Sequence, residues 1–204
     1  EIAADDFRLT LYSRTGDTRR LIFQQQKKEI YTADILSASF CSFQGEHAVF
    51  EALTLDHDEE IYGLGERFDS VRRKGRAVDF WNKDAIGTTS PRTYLNIPFF
   101  LSTKGYGLFL NSPARTDWQI GTRDSAALGF SVQDRQMDYF ILYGETPADI
   151  LRQYCTLTGF ARRPPLWSFG LWMSRNSYTS WDIAEAAGDG MRAHDIPCDV
   201  LHLD

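Results

Sequence analysis

Cysteine is scarce in this 204-residue sequence, with three residues at positions 41, 155 and 198. An odd number without the short spacings of a zinc site or a redox pair points to buried thiols in a reducing, cytoplasmic compartment rather than to a metal centre. No metal and no cofactor is expected. Long apolar runs are missing too: nothing approaches the roughly 18 residues of a membrane span. Positive charge is outnumbered, 22 Lys and Arg against 28 Asp and Glu for a net charge of −6. Nucleic acid and anionic membranes both require a basic face, so neither is expected as a partner, and a neutral ligand fits better. The opening EIAADDF has neither an initiator Met nor a basic region followed by an apolar run, and reads as the interior of a longer protein. There is no internal repeat and no low-complexity tract.

Aromatic residues, by contrast, are plentiful: five Trp, nine Tyr and fourteen Phe. Flat amphipathic rings stack on sugars, and β-rich cores use the same residues, so composition alone leaves both open. The length suits one large domain or one domain plus part of another.

From Phe7 to about Tyr143 the pattern is one of short strands. Phe7, Leu9 and Leu11 alternate with polar residues, and SRTGDT supplies a turn before Leu21, Ile22 and Phe23, which predicts a hairpin. Further strands are predicted at His47 to Leu55, Ile97 to Ser102, Tyr106 to Asn111, Asp117 to Gly121, Ala127 to Val132 and Met137 to Tyr143, separated by turn dipeptides such as Lys104-Gly105 and Ser112-Pro113. Strands at this spacing predict an antiparallel sandwich.

At Thr146 the character changes. TPADILRQYCTLTG predicts a helix with Thr146 as N-cap, Pro147 at its first position, Ile150, Leu151 and Tyr154 on its apolar face and Gly159 just past its end. ARRPP then breaks the chain, placing a domain boundary so that residues 1–160 form the β domain and 161–204 a second one. In the latter, Trp167 to Met173 reads as a strand covered on both faces. Ser180 caps a helix carrying Ala184, Ala187 and Met191, and CDVLHLD is a second strand. Strand, helix and strand at this spacing make a βαβ unit with parallel strands. Exposed apolar faces on two lone parallel strands leave room for association between copies of the chain.

Functional groups of parallel α/β folds gather at the carboxyl ends of their strands. Arg175, Asn176 and Tyr178 follow the first strand, and Asp204 ends the second, where a carboxylate is costly unless paired or facing a cleft. In the β domain, YGLGERF marks a strand with a bulge or a close backbone approach, with Glu66 and Arg67 as a candidate ion pair. FWNKDAIGTTSPRTYLN then places Asp84 on a long polar excursion of the kind retained for function. A solvated Asx-turn is the alternative for Asp84.

YGLGERF, FWNKDA, YLNIPFFLSTKGYGLFLNSP, TPADILRQY, RPPLWSFGLWMSRNSY and IPCDVLHLD, in this order, resemble glycoside hydrolase family 31 over about Glu60 to Asp204. The resemblance implies a galactose-mutarotase-like β-sandwich followed by the truncated start of a (β/α)8 barrel. It also implies hydrolysis of terminal α-linked xylose or glucose from an oligosaccharide, WMSRNSY being most similar to the α-xylosidase branch. By that resemblance Tyr178 lines the subsite of the released sugar, Asp204 accepts hydrogen bonds from its hydroxyls, and Asp84 contacts the leaving sugar. Arg175 is a substrate-binding candidate from its place on the same loop as Tyr178, where it offers donors. Lys83 departs from the arginine common at its place. The nucleophile and the acid/base, both aspartates, are expected beyond residue 204, so no residue here is assigned a catalytic role. A non-catalytic carbohydrate-binding or purely structural sandwich is the competing reading.

Overall fold

A computed structural model describes residues 2–5, 8–25, 38–43, 46–87 and 90–203. The chain divides into two units, Glu1–Gly159 and Phe160–Asp204.

The first unit begins with β1 (Ile2–Asp5), β2 (Arg8–Thr15) and β3 (Thr18–Gln24), an antiparallel sheet in that order. Its β2–β3 hairpin is the one expected from SRTGDT. Phe7, part of the expected alternation, lies outside the described residues, whereas Leu11 packs on the core. Next come β4 (Ala38–Phe43), β5 (Glu46–Thr54), β6 (Ile61–Gly63), β7 (Arg76–Phe80), β8 (Phe99–Ser102), β9 (Tyr106–Leu110), β10 (Thr116–Ile120), β11 (Ala127–Val132) and β12 (Tyr139–Tyr143). They form a five-stranded sheet, β4-β5-β11-β10-β7, and a four-stranded sheet, β12-β9-β8-β6, antiparallel throughout. Strand β8 starts two residues later than the sequence suggests because Pro98 has no N–H to give to a ladder.

The two sheets meet through aromatic rings. Trp118 on β10 is fully buried, stacks on Phe130 of β11 at 4.7 Å and meets Phe100 of β8 edge-on at 6.0 Å. Its indole N–H donates to Thr116 Oγ1 at 3.0 Å, so the ring enters the core with no orphaned donor. Leu53, Ile120, Leu128 and Val132 fill one side of this core and Leu108, Leu110 and Tyr106 the other.

Strand β8 is covered on both faces. Phe100 points into the sandwich, while Phe99 packs outward against α1 (Pro147–Thr158) with Leu142 and Ile150. Helix α1 begins as predicted: Thr146 Oγ1 accepts from the Asp149 N–H and the Asp149 carboxylate accepts from the Thr146 N–H, a closed capping box with Pro147 in the first turn. Gly107 lets the helix lie close, since a Cβ there would meet Ile150 Cγ2 at 2.7 Å. The helix face differs from the expected one. Ile150 is buried and Tyr154 stacks on Phe99 at 4.3 Å, but Leu151 is exposed, because a neighbour one position along points about 100° away.

In the second unit a 3-10 turn at Leu166–Phe169 precedes β13 (Trp172–Ser174), α2 (Trp181–Ala193) and β14 (Val200–His202). Strands β13 and β14 pair in parallel, as the βαβ reading requires. The single strand expected at Trp167 to Met173 is corrected. Pro165 leads into a turn closed by the Ser168 N–H and hydroxyl, both donating to the Pro165 carbonyl at 3.1 and 2.7 Å, so pairing begins only at Trp172. Nor is this strand covered on both faces within its unit, Trp172 being half exposed. Ser180 caps α2 through its hydroxyl, and Ala184 is its buried residue. The thiols of Cys155 and Cys198 are half-buried rather than buried, and the side chain of Cys41 lies outside the described residues.

Between the sheets lies a carboxyl group. Glu51 on β5 is 3% exposed; it accepts from the Ala52 N–H at 2.9 Å, from Gln25 Nε2 at 2.8 Å and from the hydroxyl of Tyr139, on the opposite sheet, at 3.2 Å. Burial outweighs these bonds and pushes its pKa up to about 7. A carboxyl whose folded pKa lies above its unfolded value of about 4.5 stabilises the fold below that value and loses the contribution as pH rises through about 7. We therefore expect Glu51 to lower the unfolding free energy by about 3 kcal/mol between these limits. Urea unfolding at pH 4.5, 6 and 7.5 should show a shallower decline for Glu51→Gln than for the natural protein, and equal slopes would show that Glu51 is ionised in the fold.

Candidate functional site

The excursion that carries Asp84 is held by two guanidinium groups, and the first acts at its root. After β6 the chain passes through three positive φ values, 117° at Gly63, 65° at Leu64 and 82° at Gly65. Gly65 is also pressed against the returning strand, where a Cβ would meet the Leu95 carbonyl oxygen at 2.1 Å. Arg73, 4% exposed, satisfies the reversed backbone: Nε donates to the Gly63 carbonyl at 2.8 Å, the terminal nitrogens donate to Gly65 and Ser70 carbonyls at 3.4 and 2.9 Å, and Asp69 supplies the counter-charge.

This turn delivers Arg67 to the base of the excursion. Its guanidinium donates to the Pro91 carbonyl at 3.2 Å, to Asn96 Oδ1 and to the Asp79 carbonyl, and lies 5.3 Å from the centroid of the Phe80 ring. Arg67 thus spans both limbs of the excursion, and the ion pair expected with Glu66 is replaced by these contacts. The reason is burial. A half-buried guanidinium facing carbonyls has its five N–H groups to satisfy, whereas Glu66 contributes its backbone N–H to the Leu95 carbonyl at 3.0 Å. Asn96 passes the link on, donating from Nδ2 to Asn82 Oδ1 at 2.6 Å. Lys83 closes the neck with its N–H on the Thr93 carbonyl at 3.1 Å, and its ammonium stands 3.7 Å from Asp79, which Arg115 also grips at 3.0 and 3.1 Å. Beside this neck, Trp81, Asn82, Asn96, Pro98, Ser112 and Pro113 line much of a cleft of about 350 Å³.

Asp84 stands exposed beyond the neck. Its Oδ1 accepts from the Ile86 N–H at 3.1 Å and from the Tyr94 hydroxyl at 2.9 Å. The Ile86 N–H first, and the Tyr94 hydroxyl second, hold its pKa below the ordinary carboxylate range, and Asp84 in turn pushes the Tyr94 phenol up. The Asx-turn expected for Asp84 is thus present: one oxygen organises the turn, and the group stays ionised at the surface. Tyr94 is the partner that sequence inspection missed. Ten residues separate it from Asp84, with no periodic element to bring them together.

In the second unit, the loop after β13 places the Arg175 guanidinium 5.6 Å from the centroid of the Tyr178 ring, a cation–π contact. The Tyr178 hydroxyl is buried without a hydrogen-bond partner. Tyr178, Thr179, Ser180, Trp181, Ala184 and Leu203 line a pocket of about 220 Å³. Register pairs Ser174 with His202 at the carboxyl ends of the two strands, Oγ and Nδ1 lying 3.4 Å apart. Asp204 lies outside the described residues. Among the described residues no group of three or more His, Cys, Asp or Glu side chains could hold a metal ion, and no helix is long and apolar enough to cross a membrane.

Two family models match the chain: the glycosyl hydrolase 31 N-terminal galactose mutarotase-like domain over residues 1–118, and the glycosyl hydrolases family 31 TIM-barrel domain over residues 161–204. The sequence is 42% identical over 156 residues to the α-xylosidase XylQ of Lactiplantibacillus pentosus, covering 76% of this chain and 20% of that protein. It is 36% identical over 154 residues to an α-xylosidase of Emericella nidulans, covering 74% and 20%. The chain thus spans about a fifth of the length of these curated relatives. Among solved structures it is similar to a dextranase of Flavobacterium johnsoniae complexed with glucose, with a TM-score of 0.80 at 28% identity over 97% of this chain and 23% of that one. The fold is also that of a xylosidase from Aspergillus niger, with a TM-score of 0.78 at 24% identity over 94% and 26%.

Because Gly65 sits against backbone, which cannot move aside as a side chain can, Gly65→Ala should cost about 3 kcal/mol of stability. Gly87→Ala, at a φ of 90° with no atom near its Cβ, should cost only about 1 kcal/mol. Denaturant midpoints of the two variants measure the difference.

Proposed function

Because the chain belongs to family 31 of the glycoside hydrolases, we propose that its protein is a retaining glycosidase that releases terminal α-linked xylose, or glucose, from a neutral oligosaccharide. The observation that carries this reading is the 42% identity with an α-xylosidase over 156 residues, which favours xylose. Retention requires two carboxyl groups about 5–5.5 Å apart, one as nucleophile and one as acid/base. In this proposal both come from outside the 204 residues, and the groups here hold the sugars in a near-attack geometry.

Asp84 then accepts hydrogen bonds from hydroxyls of the leaving sugar, Tyr178 and Arg175 line the subsite of the released sugar, and Asp204 accepts from that sugar's hydroxyls. The surface chemistry of Asp84 supports its part. An ionised carboxylate is an acceptor only, and beside the exposed Tyr94 ring it suits a neutral polyol. For the Tyr178 side, the buried hydroxyl without a partner marks a polar group that a ligand hydroxyl would satisfy. We also assign residues 1–160 to the sandwich domain and 161–204 to the barrel. The exposed Leu166, Phe169 and Trp181 support association of the isolated chain with itself.

The protein carrying this chain, expressed at full length, should hydrolyse nitrophenyl α-xyloside faster than nitrophenyl α-glucoside, and Asp204→Ala should lower both rates by at least about a hundredfold. The 204-residue chain alone should turn over neither. Silence of the full-length protein on both substrates, or turnover by the isolated chain, would overturn the reading.

A further inference from the structure

Two donors converge on a single oxygen of Asp84. The Ile86 N–H and the Tyr94 hydroxyl both bond to Oδ1, and among the described residues no donor reaches Oδ2. A carboxylate offers about four acceptor sites, two on each oxygen. Both on Oδ1 are in use, and among the described residues both on Oδ2 are unfilled.

The two donors differ in what stands behind them. Ile86 is exposed, at a φ of 40°, on the outer part of the excursion. Tyr94 springs from anchored backbone: the Thr93 carbonyl receives the Lys83 N–H, Thr93 Oγ1 receives the Leu95 N–H at 3.1 Å, and the Leu95 carbonyl receives the Glu66 N–H at 3.0 Å. Thr93 itself is buried, whereas the Tyr94 ring is 63% exposed. The phenol is thus a strut from fixed backbone to an exposed loop. Without its hydroxyl, Asp84 keeps only a bond to its own loop and gains rotational freedom about χ1 and χ2.

We propose that Tyr94 is a positioning residue that locks Oδ1 of Asp84, so that Oδ2 alone receives the leaving sugar's hydroxyls, and that its exposed ring forms a wall of that subsite. The proposal rests on the reading of Asp84 as the contact to the leaving sugar. It narrows that reading to recognition through one oxygen, which suits one hydroxyl or a vicinal pair converging on it. The hydroxyl also helps to keep Asp84 ionised, so its loss weakens binding first on the acid side.

The test uses the full-length protein with two substrates of the same α-linked glycone, a disaccharide and a nitrophenyl glycoside, the second lacking hydroxyls on its leaving group. Tyr94→Phe should raise the ratio of disaccharide KM to aryl-glycoside KM by about three- to tenfold, the loss of one charge-assisted hydrogen bond. It should also move the acid limb of disaccharide kcat/KM to higher pH. In a double-mutant cycle, Tyr94→Phe should add nothing once Asp84 is Ala, because Tyr94 acts through it. Equal KM changes for the two substrates, or full additivity with Asp84→Ala, would overturn the role of Tyr94. If Asp84→Ala alone leaves the KM ratio unchanged, the reading of Asp84 fails instead, and Tyr94 has nothing to position.

Discussion

The guanidinium of Arg73 is the constraint on which the excursion depends. It is buried, it neutralises Asp69, and its other donors go to carbonyls of a backbone turned through positive φ at Gly63, Leu64 and Gly65. Removing it would leave the carbonyls of Gly63, Gly65 and Ser70 without these donors and Asp69 without its ion pair. More is at stake here than stability. The turn that Arg73 holds sets the position of Arg67, Arg67 joins Asp79, Pro91 and Asn96, and those residues form the neck from which Asp84 and Tyr94 project. Most of these steps transmit position by hydrogen bonds to backbone carbonyls, which have fewer soft degrees of freedom than a side chain.

A second set of buried polar groups ties the sandwich itself. Glu51 links β5 to Tyr139 across the sheets. Glu59, just before β6, is 2% exposed and accepts from Ser102 and from the Asp56 N–H, with its pKa raised chiefly by burial. Both acids lie among apolar side chains where a mispaired register would leave them without donors. An apolar core tolerates sliding of one sheet on another more readily than a core with such fixed polar contacts does. The acids therefore favour a single register at the expense of stability at neutral pH, and that register also places β7 and β8, the two strands that bound the excursion.

Structure set by neighbouring residues was legible in the sequence. Thr146, Pro147 and Gly159 bound α1, Ser180 caps α2, and Ala127–Val132 forms a strand over the residues predicted, because caps, turns and alternation act within a few positions. Strand β7 was not legible. RAVDF carries charges at its first and fourth positions and is a strand because it pairs with β10, a partner about forty residues away. The apolar run at Trp167 was misread because composition cannot distinguish a continuous strand from a proline-led turn followed by a short one. At the site, residue types pointed to Asp84, Arg175 and Tyr178, while the partners of Asp84 and Arg67 arise from tertiary geometry. Glu66 and Arg67 looked like a pair because they are adjacent, yet the turn delivers Arg67 to Pro91, Asp79 and Asn96 instead.

The contrast between Arg73 and Asp84 shows how the labour is divided. Arg73 is enclosed, so its charge is expensive and its hydrogen bonds are spent on backbone. Asp84 is at the surface, so its charge costs little, and among the described residues one of its oxygens receives no donor. A carboxylate buried as deeply as Glu51 would be protonated near neutrality and would have its acceptors filled by protein. A carboxylate left on an unsupported loop would be ionised but would sample many directions. The sandwich satisfies both needs at once: it buries the groups that fix the loop and exposes the carboxylate of Asp84. An exposed acid can be directional only if something rigid reaches out to it, and here that is the Tyr94 hydroxyl, carried on the anchored backbone at Thr93 and Leu95.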